Sequence, residues 1–393
     1  MKVSTDAAKI AHLLTHQVDT VVVKESLEKK LKSGKQLRVK FGADPSRPDL
    51  HIGHAVVLRK LREFQELGHT VIFLIGDFTA LIGDPSGKSK TRPMLSAKEI
   101  KANAKTYLAQ VGKVLDIKKC EVRYNSEWLG KMKAADFIHL VSQFTAARIL
   151  ERDDFSKRMK EHADVHMHEL LYPMLQAQDS IALDADVELG ATDQTFNLLA
   201  GRELQRKMGM AEQDVMTTKI LVGTDGVQKM SKSHDNYIGL TDSADDMYGK
   251  TMSVPDSALP NWLDLASDLR EEEVAMQLTQ LKNGVNPRDV KAMLAWRITA
   301  MYHGTKAAGI AADSFVARFK KGEMPTDMAT LKASGKKLVD VVAEAFGLSK
   351  SEARRQIEQG GVKVDGNAVK DAMSEVKTGN VVQKGKLNFV KIS

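Results

Sequence analysis

The chain has a single cysteine, Cys120, so it can neither close an intramolecular disulfide nor assemble a cysteine-rich zinc site. A buried, inert thiol is the plain reading of that residue. No apolar run approaches the roughly 20 residues that span a bilayer, and no membrane role is expected. The opening segment lacks a basic stretch leading into an apolar core and a small-residue cleavage site. The first arginine of the chain is Arg38, after Asp6 and Asp19. Neither a secretory leader nor an Arg-rich transit peptide is read there, and the cytoplasm is the expected compartment. Internal repeats and low-complexity tracts are lacking too, which argues against solenoids and disordered scaffolds.

What is present is a globular composition, 42% hydrophobic and 28% charged, in a length of 393 residues that exceeds one hydrophobic core. The net charge of +7 is uneven. From Leu331 to Ser393 there are 12 Lys and Arg against 7 Asp and Glu, so this segment carries +5 of the total. A basic terminal module points to nucleic acid.

Periodicity predicts a strand over 37–42, a loop bracketed by Pro45 and Pro48, and a helix over 52–67. The run HTVIFLIGDF then reads as a strand buried on both faces of a parallel sheet, completing a βαβ unit. Helices follow over 97–115, a strand near Val122, and helices over 134–149 and 166–177. Beyond Ser233 only helices are read: 245–252, 271–282 and one longer helix over 287–319. The stretch around Pro325 reads as a linker, followed by a small basic domain.

Chemistry concentrates at predicted strand ends, where such sheets bind ligands. In GADPSRPDLHIGH, His51 and His54 stand three residues apart at a helix start and share a face. A helix N-terminus offers free N–H groups to phosphate, and two imidazoles there could donate to a phosphoryl group gaining charge. A His pair alone would equally suit a surface or metal site. Set in this context, His51-Ile52-Gly53-His54 resembles the HIGH signature of class I aminoacyl-tRNA synthetases. Lys229-Met230-Ser231-Lys232-Ser233, about 175 residues later, resembles their KMSKS signature; by itself it would be an ordinary solvated loop. The segment GDPSGKS superficially resembles a P-loop, but three residues separate Gly83 from Gly87 where four are needed.

Tyr172, Gln176 and Asp179 fall at i, i+4 and i+7 and therefore share one helical face. Alone they could be a solvent-facing polar stripe. In context YxxxQxxD resembles the substrate pocket of bacterial tyrosyl-tRNA synthetases, and GATDQTFN resembles a further segment of that family. LSKSEARRQIEQGGVKVDGNAV is similar to the ribosomal-S4-type RNA-binding domain.

The resemblance implies a Rossmann-like α/β catalytic domain over 1–235 with a parallel sheet, an α-helical anticodon-binding domain over 236–320, a linker over 321–334 and an S4-type α+β domain over 335–393. It implies that His51, His54, Lys229 and Lys232 are catalytic. ATP would meet these four together with Asp44, Ser46, Gly53, Asp193 (at the ribose), Met230 and Ser231, accompanied by Mg²⁺ whose ligands cannot be named. Asp179 would read the tyrosine phenol, and Tyr172, Gln176, Asp84 and Gln194 would hold the rest of the amino acid, with Glu188 behind them. Lys350, Arg354 and Arg355 would contact tRNA phosphates, and the family is typically a homodimer. No protein-held metal site is expected. A tryptophanyl enzyme or a non-catalytic RNA-binding homologue are the other readings. Some family members carry a second phenol-binding tyrosine two residues before the glycine that matches Gly42. This chain has Lys40 there, so either the phenol is read through Asp179 and other groups or the pocket is altered.

Overall fold

A computed structural model of the chain describes residues 2–46, 48–86, 95–320, 328–385 and 388–393. They fall into two compact units, 1–312 and 313–393. The first is built on a six-stranded sheet of β1 (Val18–Val22), β2 (Arg38–Ala43), β3 (Thr70–Ile75), β4 (Glu121–Tyr124), β5 (Val187–Ala191) and β6 (Asp214–Thr218). Their spatial order is β1-β6-β5-β2-β3-β4. All neighbours run parallel except β1, which lies antiparallel on β6 as an edge strand. The parallel sheet is therefore as predicted, with the β1 edge added. β3 is buried from Val71 to Ile75, as its uninterrupted apolar run requires when both faces are covered.

Chain order climbs from β2 through β3 to β4 on one side and from β5 to β6 on the other, so the order reverses between β2 and β5. Such a reversal leaves a crevice beyond the strand ends, because the following loops turn to opposite faces. Here β2 and β5 pair only at Val39↔Val187 and Lys40↔Glu188, while β2 stays paired to β3 as far as Ala43. Past Lys40 the two strands part and the crevice opens.

The helix predicted over 52–67 spans Ile52–Glu66, entered from an extended His51 at φ −123° and ψ 167°. The helix predicted to stop near 177 runs over Met167–Ala182, which brings Asp179 inside it. Residues 244–312 form helices that share the core of the sheet, through Trp262, Leu263, Leu294 and Ile298 among others.

The single helix expected over 287–319 is two, Pro287–His303 and Thr305–Lys320. The break is Gly304, at φ +84° and ψ 159°, a conformation open to glycine and strained for any other residue. A lone glycine in a periodic apolar pattern does not reveal this by itself, since glycine also sits inside helices.

The second unit packs helices Leu338–Phe346 and Lys350–Glu358 on a five-stranded sheet. Its strands are β7 (Ala329–Leu331), β8 (Val362–Val364), β9 (Asn367–Ala368), β10 (Val381–Lys384) and β11 (Asn388–Ile392), in the order β7-β11-β10-β8-β9. β7 lies in the segment read as linker and pairs parallel with β11; residues 321–327 of that segment lie outside the described residues, as do Gly87–Ser89 of the P-loop look-alike.

Gly304→Ala should lower stability by about 1–3 kcal/mol, whereas Gly309→Ala should raise it by about 0.5–1 kcal/mol. Gly309 lies inside the helix Thr305–Lys320 with open space where its Cβ would stand. Urea unfolding of the two variants, compared with the wild type, checks both signs.

Candidate active site

A cavity of about 520 Å³ fills the crevice. Every residue assigned by resemblance to catalysis, ATP or tyrosine lines it except Lys232. They reach it from the ends of β2 and β5, the start of helix Ile52–Glu66, helix Met167–Ala182 and the loop that holds Lys229.

The two histidines are packed ring to ring, with centroids 3.8 Å apart. The backbone N–H of His51 donates to His54 Nδ1 at 3.2 Å, which leaves the imidazole proton of His54 on Nε2. Burial first, then the charges of Lys229 and Lys232, push the His54 pKa down to about 3. Burial, His54 and the same lysines hold His51 well below the usual histidine value. Both rings are thus neutral at physiological pH and act as fixed dipoles. A Cβ on Gly53 would stand 2.9 Å from His51 Nδ1 and 3.5 Å from the Met230 Cβ. The glycine of the motif is what allows the ring to lie against the backbone.

In the second motif, Met230 is 1% exposed and belongs to the core. Asn236 clamps the same loop, accepting from Ser231 N–H at 2.7 Å and donating to Asp225 Oδ2 at 2.7 Å. Of the lysines on either side, Lys229 is exposed and Lys232 is largely covered. Lys229 Nζ pairs with the Asp193 carboxylate, and Lys232 Nζ donates to the Asp49 carbonyl. Among the described residues, Asp193 Oδ1 and His51 Nδ1 are buried without a hydrogen-bond partner.

Asp179, 2% exposed, accepts from Trp128 Nε1 at 2.8 Å and from Asn125 Nδ2 at 3.3 Å. Burial pushes its pKa up to about 7 against the pull of Lys40 and these two donors. Asn125 also donates to Thr79 Oγ1 at 3.0 Å, and Thr79 donates to Asp44 Oδ1 at 2.7 Å. Tyr172 Oη donates to the other oxygen of Asp44 at 3.0 Å. Asp44, assigned to ATP, is therefore bonded to Tyr172, assigned to the amino acid, and the two sets of residues meet there. Asn125, Trp128 and Thr79 were not foreseen as site residues; their position just beyond β3 and β4 was the available signal.

Asp84 accepts from Gln194 Nε2 at 2.7 Å and from Ser86 Oγ at 2.7 Å, and Arg152, 4% exposed, donates to Ser86 Oγ at 3.1 Å. The sequence had not marked Arg152. Lys40 is fully buried, with Nζ 2.8 Å from Glu188 Oε1. Removing one partner of such a pair typically costs about 3–5 kcal/mol, because the other charge is left buried alone.

The carboxylates of this cavity do not gather into a metal cage. The only such grouping among the described residues is His12, His16 and Glu63, outside the cavity lining, where Lys60 Nζ already sits 2.8 Å from Glu63 Oε2.

In the second unit, helix Lys350–Glu358 carries the three cations assigned to RNA. Arg354 is exposed, Lys350 pairs with Asp340 at 2.7 Å and Arg355 with Glu352 at 2.6 Å. All three lie on the surface, and these exposed pairs are weak enough to exchange partners.

No helix among the described residues is long and apolar enough to cross a membrane. The family model described as tRNA synthetases class I (W and Y) matches residues 32–320, and that of the S4 domain matches 336–382. The tyrosine–tRNA ligase of Mannheimia succiniciproducens is 50% identical over 384 residues, 97% of each chain. That of Thermotoga maritima is 49% identical over 394 residues, 99% of this chain and 98% of its own. Among solved structures, the tyrosyl-tRNA synthetase of Archaeoglobus fulgidus complexed with L-tyrosine superposes with a TM-score of 0.63 at 22% identity, covering 78% of this chain and 100% of that one. A C-terminally truncated mitochondrial tyrosyl-tRNA synthetase of Aspergillus nidulans gives 0.65 at 21% identity, covering 79% and 94%. The structural likeness carries the fold, and the sequence identity carries the family: the chain belongs to the class I aminoacyl-tRNA synthetases, among the bacterial tyrosyl-tRNA synthetases.

Proposed function

We propose that the chain is the ATP-dependent tyrosine–tRNA ligase its family implies, forming tyrosyl-adenylate with release of pyrophosphate and then transferring tyrosine to the terminal adenosine of tRNA(Tyr). The observation that carries the residue-level reading is that one cavity holds both a buried carboxylate suited to a phenol, Asp179, and a pair of neutral imidazoles flanked by lysines.

Asp179 accepts a hydrogen bond from the phenol O–H, and a substrate lacking that hydroxyl denies the buried carboxylate this third donor. Asp84, Tyr172, Gln176 and Gln194 hold the rest of the amino acid and orient its carboxylate for in-line attack on the ATP α-phosphorus, with Asp44 on the ATP side. In this reading the Nε2–H of His54 and the neighbouring His51 stabilise the charge that accumulates on the phosphoryl oxygens. The unpartnered Asp193 Oδ1 is suited to a ribose hydroxyl. A ribose there competes with Lys229 for the same carboxylate and frees the ammonium for the phosphates, where Lys232 joins it. Mg²⁺, an ion that commonly keeps water and phosphate ligands, accompanies ATP. No step is assigned to the ion.

In the same reading the helices of 236–320 meet the anticodon, and residues 335–393 hold tRNA phosphates through Lys350, Arg354 and Arg355. The enzyme works as a homodimer in the cytoplasm.

Amino-acid-dependent exchange of pyrophosphate into ATP tests the activation half without tRNA. Exchange with tyrosine and not with phenylalanine or tryptophan is expected; preference for tryptophan would overturn the substrate, and none at all the enzyme. His54→Ala should slow adenylate formation by about 10²–10³-fold and leave tyrosine binding within a few-fold; equal losses in both would remove its assigned role.

Asp179→Asn should abolish the preference for tyrosine and also change stability with pH. The raised carboxyl pKa means that the folded state binds the extra proton between about 4 and 7. The wild type therefore loses stability as pH rises through that window, and the amide does not. Melting curves from pH 4 to 8 should show the difference moving steadily in favour of the variant.

Replacing Lys350, Arg354 and Arg355 by Ala should spare exchange, weaken tRNA charging and flatten its dependence on salt. Unchanged charging across salt concentrations would place the RNA contact elsewhere.

A further inference from the structure

Position 40 carries a buried cation that the proposed chemistry leaves without a role, and its surroundings indicate what it does. Lys40 is 0% exposed in β2, opposite Glu188 in β5. Its ammonium lies 2.8 Å from Glu188 Oε1, 2.9 Å from Ser180 Oγ and 3.2 Å from the Gln176 carbonyl. Gln176 and Ser180 flank Asp179 on helix Met167–Ala182, so the charge is anchored to the very turn that carries Asp179. Glu188 is itself held, accepting from Gln176 Nε2 at 3.1 Å, Ser180 Oγ at 2.9 Å and Gln213 Nε2 at 2.6 Å. Two buried carboxylates and one buried ammonium thus share the pocket. Without a cation, a carboxyl group at this depth would retain its proton.

We propose that Lys40 is a specificity-determining positioning residue: its buried ammonium, fixed by Glu188, Ser180 and the Gln176 carbonyl, draws Asp179 toward its anionic form, so that the pocket accepts a hydrogen bond from a phenol. The proposal rests on the tyrosine-activation reading for its consequence, and not for its electrostatics. The groups facing Asp179 are Lys40 from β2, Glu188 from β5, and Asn125 and Trp128 from the segment after β4. Lys40 is the largest influence opposing burial, ahead of the two hydrogen bonds, while Glu188 acts with burial. An ionised acceptor makes the shorter, stronger hydrogen bond, so the lysine bears on the choice between tyrosine and phenylalanine without touching either.

Trp128 reports the charge on Asp179 directly, because its indole N–H is bonded to that carboxylate. The ligand-free protein is titrated from pH 5 to 9 by tryptophan fluorescence, with Trp128→Phe as the subtraction. The signal should turn over near neutrality in the wild type and about one to two pH units higher in Lys40→Met, with Lys40→Arg restoring the midpoint. The double variant Lys40→Met/Glu188→Gln removes the buried pair as a unit and guards against misfolding; its midpoint should move in the same direction. A midpoint that stays put in the folded variants overturns the proposal. In pyrophosphate exchange at pH 7, Lys40→Met should lose roughly 10- to 100-fold in kcat/KM for tyrosine. That loss should be recovered toward pH 8.5, with the residual exchange driven by phenylalanine, read at high enzyme concentration, nearly unchanged. Equal loss for both amino acids with an unmoved acid limb would make Lys40 merely structural. A shifted fluorescence midpoint in a protein that activates no amino acid would overturn the ligase reading and leave the electrostatic role standing.

Discussion

The active cavity depends on a short seam. β2 and β5 are held together by two residue pairs, Val39↔Val187 and Lys40↔Glu188, and the second pair is an ion pair with no solvent access. At this seam the sheet reverses its order, so the two strands must part immediately beyond it. Everything that lines the cavity is placed relative to that divergence. Asp44 follows one strand, Asp193 and Gln194 follow the other, and helix Met167–Ala182 crosses behind with its polar face toward the buried pair. A purely apolar seam would pack as well, and often with greater stability. The charged one ties β2, β5 and the helix to a common point through Glu188, Ser180, Gln176 and Gln213.

Burial sets the charge state of the groups around this point, in opposite directions for acids and bases. His51 and His54 lose their protons to desolvation and to the nearby lysines, while Asp179 is driven toward keeping one. The same burial that neutralises the imidazoles strengthens the field of their N–H dipoles, because charges interact more strongly at low dielectric. For Asp179 the environment works against ionisation, and the opposing influences are specific: one ammonium and two aimed donors. The site therefore carries strain of a chemical kind, in which charges are maintained at a cost to stability. Such sites are where local rules of burial are expected to fail.

Much of this was legible in the chain itself. The βαβ beginning could be read because β3 is an unbroken apolar run and the helix after Pro48 has a clear start. The two signature motifs and the Tyr172-Gln176-Asp179 stripe were legible because they are local, with spacing that needs no tertiary information. The partners of these residues were not. Trp128 and Asn125 lie 51 and 54 positions from Asp179, and only the tertiary fold, which brings the segment after β4 to helix Met167–Ala182, makes them neighbours. Lys40 read as an anomaly because its explanation, Glu188, is 148 residues away in a strand that the sheet places alongside. The Gly304 break was missed for a different reason. A glycine is compatible with both a continuous helix and a sharp turn, and the backbone angles that decide between them follow from packing.

The loop after β6 shows how a motif divides labour among adjacent residues. Met230 is buried in the core and Ser231 is tied by its backbone to Asn236, which is in turn bonded to Asp225 and to the Lys229 carbonyl. A Cβ on Gly223 would stand 2.2 Å from the Asn236 amide, so that clamp also depends on a residue outside the motif. The backbone is thereby fixed at its centre while the two ammonium groups extend on long flexible stems to the Asp193 carboxylate and the Asp49 carbonyl. Apolar anchoring supplies position, and lysine supplies a mobile charge that can change partners at little cost. Arginine in either place would bind a carboxylate through two parallel hydrogen bonds and release it less readily. The spacing lysine-methionine-serine-lysine thus has a structural cause: the two mobile cations need a fixed point between them, and the methionine side chain provides it.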